Sequence, residues 1–164
     1  NLIAQDTTYF RVPEDREGAL TELLRELDHI RAKKWVRLMY AHPARITNAI
    51  ARAIGDSRSI CHYIDMPIQH ISDDILKNMG RRGMSDAIRR AINLLRSEIP
   101  DVALRTTVMV GFPGETDKHF KELLEFIRET RTWHTLPGRH AEDGSCLLAQ
   151  TLPRPEKQST RLCF

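Results

Sequence analysis

Four short segments of this 164-residue chain carry residue types able to bind or transform a ligand. The most specific is Gly111-Phe112-Pro113-Gly114-Glu115. A glycine here permits positive φ or lets a ligand approach the backbone closely. Pro113-Gly114 makes a tight turn. Glu115 and Thr116 then fall near a helix start, where a carboxylate complements the dipole. The same residues also suit a plain strand–turn–helix connection that holds no ligand. Gln69-His70 follows Met66-Pro67; its imidazole could bond a ligand or move a proton, or be a structural histidine satisfied by a backbone carbonyl. Gln5-Asp6-Thr7-Thr8 and Tyr40-Ala41-His42-Pro43 complete the set. Arg81-Arg82, with Lys77 and Arg89-Arg90, forms a basic cluster that could meet nucleic-acid phosphates or be a solvated helix surface. His29 and His119 fall on helices and read as surface residues.

These segments share a position: each follows an apolar run and precedes an amphipathic stretch. The first run is residues 2–4, followed by a helix over residues 14–30 with Ala19, Leu20, Leu23, Leu24, Leu27 and Ile30 at helical spacing. A strand at residues 35–40 stops at Pro43, and a helix over residues 45–54 ends at Gly55. A strand at residues 63–66 stops at Pro67. Ser72-Asp73-Asp74 begins a short helix that Gly80 terminates. A longer helix covers residues 85–99, with Ser85 as its candidate cap and Pro100 past its end. Residues 102–110 form the clearest strand. The last helix, residues 116–130, places Phe120, Leu123, Leu124 and Ile127 on one face. The order β-α-β-α-β-α-α-β-α predicts parallel strands with right-handed crossovers, either an open doubly wound sheet or an arc of a barrel. A complete eight-unit barrel needs about 250 residues. In both architectures ligands sit at the carboxyl ends of the strands, where all four polar segments fall.

Composition sets the outer bounds. With 41% hydrophobic and 29% charged residues of mixed sign, the chain can build a core. A formal net charge of +3 is too weak by itself to argue a nucleic-acid partner. No apolar run reaches the roughly 18 residues a membrane span needs. Cys61, Cys146 and Cys163 lie far apart, without the spacing of a zinc site, redox pair or cluster loop. An odd, sparse set suits a reducing cytoplasm, and Cys61 reads as a small buried side chain. The chain begins at Asn1, inside an apolar segment and without an initiator Met, so a truncated N-terminus is expected. Residues 132–164, rich in proline and glycine, are expected to be a poorly ordered tail after a domain at residues 1–131.

The ordered motifs resemble the radical S-adenosylmethionine (SAM) methylthiotransferases. They are Leu2-Ile3-Ala4-Gln5-Asp6-Thr7-Thr8, Trp35-Val36-Arg37-Leu38-Met39-Tyr40-Ala41-His42-Pro43, Tyr63-Ile64-Asp65-Met66-Pro67-Ile68-Gln69-His70-Ile71-Ser72, Leu76-Lys77-Asn78-Met79-Gly80-Arg81-Arg82 and Arg105-Thr106-Thr107-Val108-Met109-Val110-Gly111-Phe112-Pro113-Gly114-Glu115-Thr116. The resemblance runs from Asn1 to about Arg131. Within the family, Ala4-Gln5-Asp6-Thr7-Thr8 is similar to the subgroup that modifies an aspartate of a small-subunit ribosomal protein. The subgroup that modifies an adenosine of tRNA usually carries a Gly-Gln-Asn-Val type of run there.

The resemblance implies an α/β fold, a partial (β/α) barrel missing its first strand and its last. It implies SAM and 4Fe-4S clusters as cofactors of the full-length enzyme, with no cluster expected in this chain, where the Cys-x3-Cys-x2-Cys loop is absent. It implies a ribosomal-protein substrate, with tRNA as the alternative, and leaves a non-catalytic SAM-binding or protein-binding module as a further reading. Gly111, Gly114 and Glu115 match the segment lying along the adenine of SAM. Gln69 and Arg105, near strand ends at the barrel mouth, could contact SAM or substrate, and Gln5 matches a polar position on the same rim. By itself the chain is expected to be inactive. Past Arg131 the family's apolar sixth strand is replaced by Trp133-His134-Thr135-Leu136-Pro137-Gly138, as after a reading-frame slip or at a degenerate gene end, so that strand is expected to be lost and the sheet edge left open.

Overall fold

The computed structural model describes residues 1–10, 18–30, 34–81 and 83–135. The predicted helix start at residues 14–17, Arg82 of the basic cluster, and residues 136–164, including Cys146 and Cys163, lie outside the described residues. Four strands, β1 (Val36–Leu38), β2 (Ile60–Asp65), β3 (Ala103–Thr107) and β4 (Trp133–Thr135), form one parallel sheet in the order β1-β2-β3-β4. Helix α1 (Ala19–His29) precedes β1; α2 (Asn48–Gly55) joins β1 to β2, α3 (Asp73–Asn78) and α4 (Met84–Glu98) join β2 to β3, and α5 (Asp117–Thr130) joins β3 to β4. A doubly wound sheet reverses its strand order at a switch point. Here spatial order follows chain order throughout, which is the arrangement of a barrel arc.

The predicted first strand shrinks to one residue. Leu2 makes an isolated parallel bridge to Leu38, its N–H donating to the Arg37 carbonyl (2.8 Å) while Met39 N–H donates to the Leu2 carbonyl (3.1 Å). The chain then turns at Asp6, whose carboxylate caps a 3-10 turn at Thr7–Tyr9. At the other edge the expectation of a lost strand is corrected: Trp133–Thr135 pairs in parallel with Arg105–Thr107. Backbone pairing is indifferent to the unusual side chains there, and Arg131 in the left-handed region (φ 44°) ends α5 and redirects the chain toward β3.

The core lies between sheet and helices. Leu38, Ile64 and Leu104 pack with Leu20 and Leu24 of α1, Ile50 and Ile54 of α2, Ile88, Ile92 and Leu95 of α4, and Leu123, Phe126 and Ile127 of α5. Two predicted core residues face water instead, Ile30 just past α1 and Phe120 in the first turn of α5, because a helix end extends beyond the sheet it covers. The predicted cap Ser85 is also corrected. Helix α4 starts after Gly83, in the left-handed region, and the Ser85 hydroxyl instead donates to Asp73 Oδ1, tying α4 to α3. Gly80 (φ 74°) does terminate α3, with Arg81 N–H returning to the Leu76 carbonyl (2.7 Å). His119, read as a surface residue, completes a capping box: its Nδ1 accepts from Thr116 N–H (3.3 Å).

Candidate functional site at the strand exits

Three of the four strands are followed by a left-handed residue: Tyr40 after β1 (φ 57°), Gln69 after β2 (φ 68°) and Gly111 after β3 (φ 75°). Only the glycine adopts this conformation without cost, and such residues persist where surrounding bonds impose them. Gln69 is so held: its N–H donates to the Thr107 carbonyl (3.0 Å) and its carbonyl accepts from Met109 N–H (2.6 Å). The exits of β2 and β3 are thereby laced together.

The Gly111 turn is closed by its own carboxylate. Glu115 Oε2 accepts from Gly111 N–H (2.5 Å) and Phe112 N–H (3.0 Å), and the Glu115 side chain is almost wholly buried. Gly111 is exposed, with open space where a side chain would stand, and Gly114 (φ 88°) faces Asn78. The turn therefore offers an outer surface to a ligand while its amides are engaged inward. Beside it, His70 is fully buried. Its Nδ1 accepts from Ser72 N–H (2.9 Å), which leaves the proton on Nε2, 3.8 Å from Glu115 Oε1. Burial pushes the His70 imidazole below the usual histidine range, with Glu115 and Glu122 opposing in part.

One strand inward, Arg105 donates to Asp65 Oδ1 (2.8 Å). The two are register partners on adjacent strands. Asp65 is fully buried and its Oδ2 has no partner among the described residues, whereas the Arg105 side chain is 34% exposed. Arg37 stacks over the Tyr63 ring (5.5 Å) on the same side of the sheet. This polar layer lines the face turned from the helices, the concave side of a barrel. Asp65 was missed in the sequence, although an acid between Ile64 and Met66 of an apolar strand is itself a signal, since an unpaired charge is not buried without cause.

A third group forms at the β1 exit. Asp6 Oδ2 accepts from Arg45 (2.6 Å) and Oδ1 from Thr8 N–H (2.9 Å), and the Thr8 hydroxyl accepts from His42 N–H (3.1 Å). Arg45 lies over Tyr9 (4.8 Å). Burial, with Arg45 and Arg81 nearby, lowers the His42 imidazole below its usual range. Ala41 N–H donates to the Asp65 carbonyl (2.8 Å), joining this group to β2. Gln5 is exposed beside it. The structure thus brings Gln69, Gly111, Gly114 and Glu115 to the exits of β2 and β3, places Arg105 within β3 against Asp65, and leaves Gln5 outside these bonds. Lys77, Arg89 and Arg90 are exposed on the helices, with Arg89 stacked on Phe126.

The chemistry present fits a zwitterionic nucleoside such as SAM: a buried carboxylate oxygen without a partner among the described residues, a guanidinium about a third exposed on the neighbouring strand, and an open glycine turn past the β3 exit. An iron–sulfur cluster does not fit the residues present. Cys61 is buried within β2, and among the described residues no group of three or more His, Cys, Asp or Glu could hold a metal. No described helix is long and apolar enough to cross a membrane.

Known proteins share sequence and fold with this chain. The chain is 51% identical over 134 residues to the ribosomal protein uS12 methylthiotransferase RimO of Geobacter sulfurreducens, covering 80% of this chain and 29% of that protein. It is 48% identical over 130 residues to the RimO of Alkaliphilus oremlandii, covering 79% and 30%. The chain thus spans about a third or less of the curated relatives it matches. Two solved structures share the fold. Coproporphyrinogen III oxidase (HemN) from Escherichia coli, described as a radical SAM enzyme, has TM-score 0.58 at 15% identity over 76% of this chain and 29% of its own. Streptococcus suis SuiB has TM-score 0.54 at 13% identity over 90% of this chain and 31% of its own. The Radical SAM superfamily profile matches residues 9–127; with the barrel-arc topology and the rim at its strand exits, this chain belongs to the radical SAM superfamily.

Proposed function

We propose that this chain is the SAM-holding arc of a methylthiotransferase that adds a methylthio group to an aspartate of ribosomal protein uS12. The observation that supports the reading is the 44–51% identity to relatives of that name over 78–80% of this chain. In this reading Gly111 and Gly114 lie along the adenine, Gln69 and Arg105 hold the polar end of SAM, and Asp65 orients Arg105. SAM supplies the radical-generating and methyl-donating chemistry when bound. The residues of this chain bind it, orient it and exclude water. The cluster that activates SAM must be held by cysteines other than those described, so the chain by itself binds SAM without cleaving it. A cytoplasmic setting follows from a ribosomal substrate.

Two experiments test this. Calorimetry with SAM on the 164-residue chain, without iron, reads the binding role directly; no measurable affinity counts against it. Joining the barrel to a cluster-ligating segment, reconstituting it anaerobically and supplying uS12 and tRNA together reads the substrate. A methylthio group on the uS12 aspartate supports the proposal. The same group on a tRNA adenosine replaces it, and SAM binding with neither product leaves a non-catalytic SAM-binding module.

A further inference from the structure

His70 stands outside the roles given above, yet its placement is unusual. It is fully buried, and its Nε2 has no hydrogen-bond partner among the described residues. A buried donor without a partner is costly. The nearest acceptor is Glu115 Oε1 at 3.8 Å, on a carboxylate whose other oxygen already holds the amides of Gly111 and Phe112. Ser72 N–H, donating to Nδ1, fixes both the tautomer and the direction of the Nε2 proton.

We infer that His70 is a positioning residue: its Nε2–H is the third donor to the Glu115 carboxylate, directly or through one water, and it locks the Gly111 turn against the β2 exit. The gap of 3.8 Å is a small closure, or the span of a tightly held water. The strut spans two loops 45 positions apart in sequence, the two that flank the proposed adenine surface. Left unlocked, Glu115 is free to swing out and the left-handed Gly111 turn loses its internal anion. The groups facing His70 are Glu115 itself and, from α5, Glu122 and His119. The consequence for ligand binding rests on the SAM reading; the mechanical role of His70 does not.

The test uses amide hydrogen exchange on the chain and two variants. His70→Leu removes the donor and should speed exchange at Gly111 and Phe112 about tenfold, the loss of roughly one buried hydrogen bond, with Ile64 and Leu104 unchanged. His70→Gln puts an N–H donor back near the Nε2 position and should restore protection. S-adenosylhomocysteine affinity should fall and recover in parallel. Unchanged exchange at Gly111 and Phe112 in His70→Leu overturns the inference, as does a loss that His70→Gln fails to rescue. If His70→Leu does not fold, nitrogen-15 spectra of the wild-type imidazole decide. A neutral Nε2–H tautomer with a slowly exchanging proton supports the strut, and a proton on Nδ1 overturns it. Exchange effects without any S-adenosylhomocysteine binding uphold the strut and count against the SAM reading alone.

Discussion

Replacing Arg105 tests how the barrel's concave face is held. Asp65 is fully buried and Arg105 reaches it at 2.8 Å, so Arg105→Met leaves a buried carboxylate without its bonded cation. Breaking a fully buried pair costs about 3–5 kcal/mol, chiefly through the charge left behind. Arg105 is 34% exposed on its side chain, so water already screens part of the pair, and about 2–3 kcal/mol is the better expectation. The reverse change, Asp65→Leu, leaves a guanidinium that can lean into solvent, and should cost no more than about 1 kcal/mol. The double variant removes both charges and should recover most of the loss, giving a coupling of about 2 kcal/mol in a double-mutant cycle. Urea unfolding of the four proteins measures this, with midpoints compared at constant slope. Additive single effects, or an Arg105→Met cost under about 0.5 kcal/mol, would refute the assignment of the pair as the support of this face. Calorimetry on the same proteins separates support from function: the double variant should fold and still fail to bind SAM.

Other expectations follow from local geometry. Gly111→Ala meets no neighbouring atom but must hold φ 75°, so thermal or urea unfolding should show a loss of about 1–2 kcal/mol from backbone strain alone. Gln69→Gly relieves the same strain at φ 68°; it should be at least as stable as the parent, and any fall in SAM affinity then measures the Gln69 side chain. Asp28 accepts from the Ser57 and Ser59 hydroxyls and from Ser59 N–H, which hold its carboxyl down at about 2. A depressed acid stabilises above its unfolded value and loses that contribution as pH falls toward 2. After allowance for its exposure, Asp28→Asn should cost about 1 kcal/mol at neutral pH and flatten the acid limb of a stability–pH curve. Burial lowers the His70 imidazole, so the unfolded chain takes up the proton first. Stability should therefore fall as pH drops below about 6.5, and the advantage of wild type over His70→Gln should narrow between about pH 7 and 5.

Much of this fold was legible because its signals are local. The 3.6-residue period named Leu20, Leu24, Leu123 and Ile127 as core, and all four are buried. Gly80 and Pro100 marked helix ends by backbone chemistry alone, and the alternation of strands and helices predicted the parallel sheet. Motif order placed Gly111, Gly114, Glu115 and Gln69 past the strand exits, since in a parallel sheet every exit faces the same side, whereas Arg105 stands within β3.

What tertiary structure decided depends on pairs distant in sequence. Local pattern is the same for a doubly wound sheet and a barrel arc; only the β1-β2-β3-β4 order distinguishes them, and that order is set by which helix faces meet. Ile30 and Phe120 fit the apolar stripe yet lie beyond the sheet's edge, and Ser85 looked like a cap until Asp73 stood beside it. Trp133–Thr135 joined the sheet because β3 offered unpaired backbone groups, which pair with any extended segment. Asp65 is joined to Arg105 across 40 positions, and His70 is set 3.8 Å from Glu115 across 45. A buried charge or donor is stable only beside its partner, and parallel packing alone brings those partners within reach.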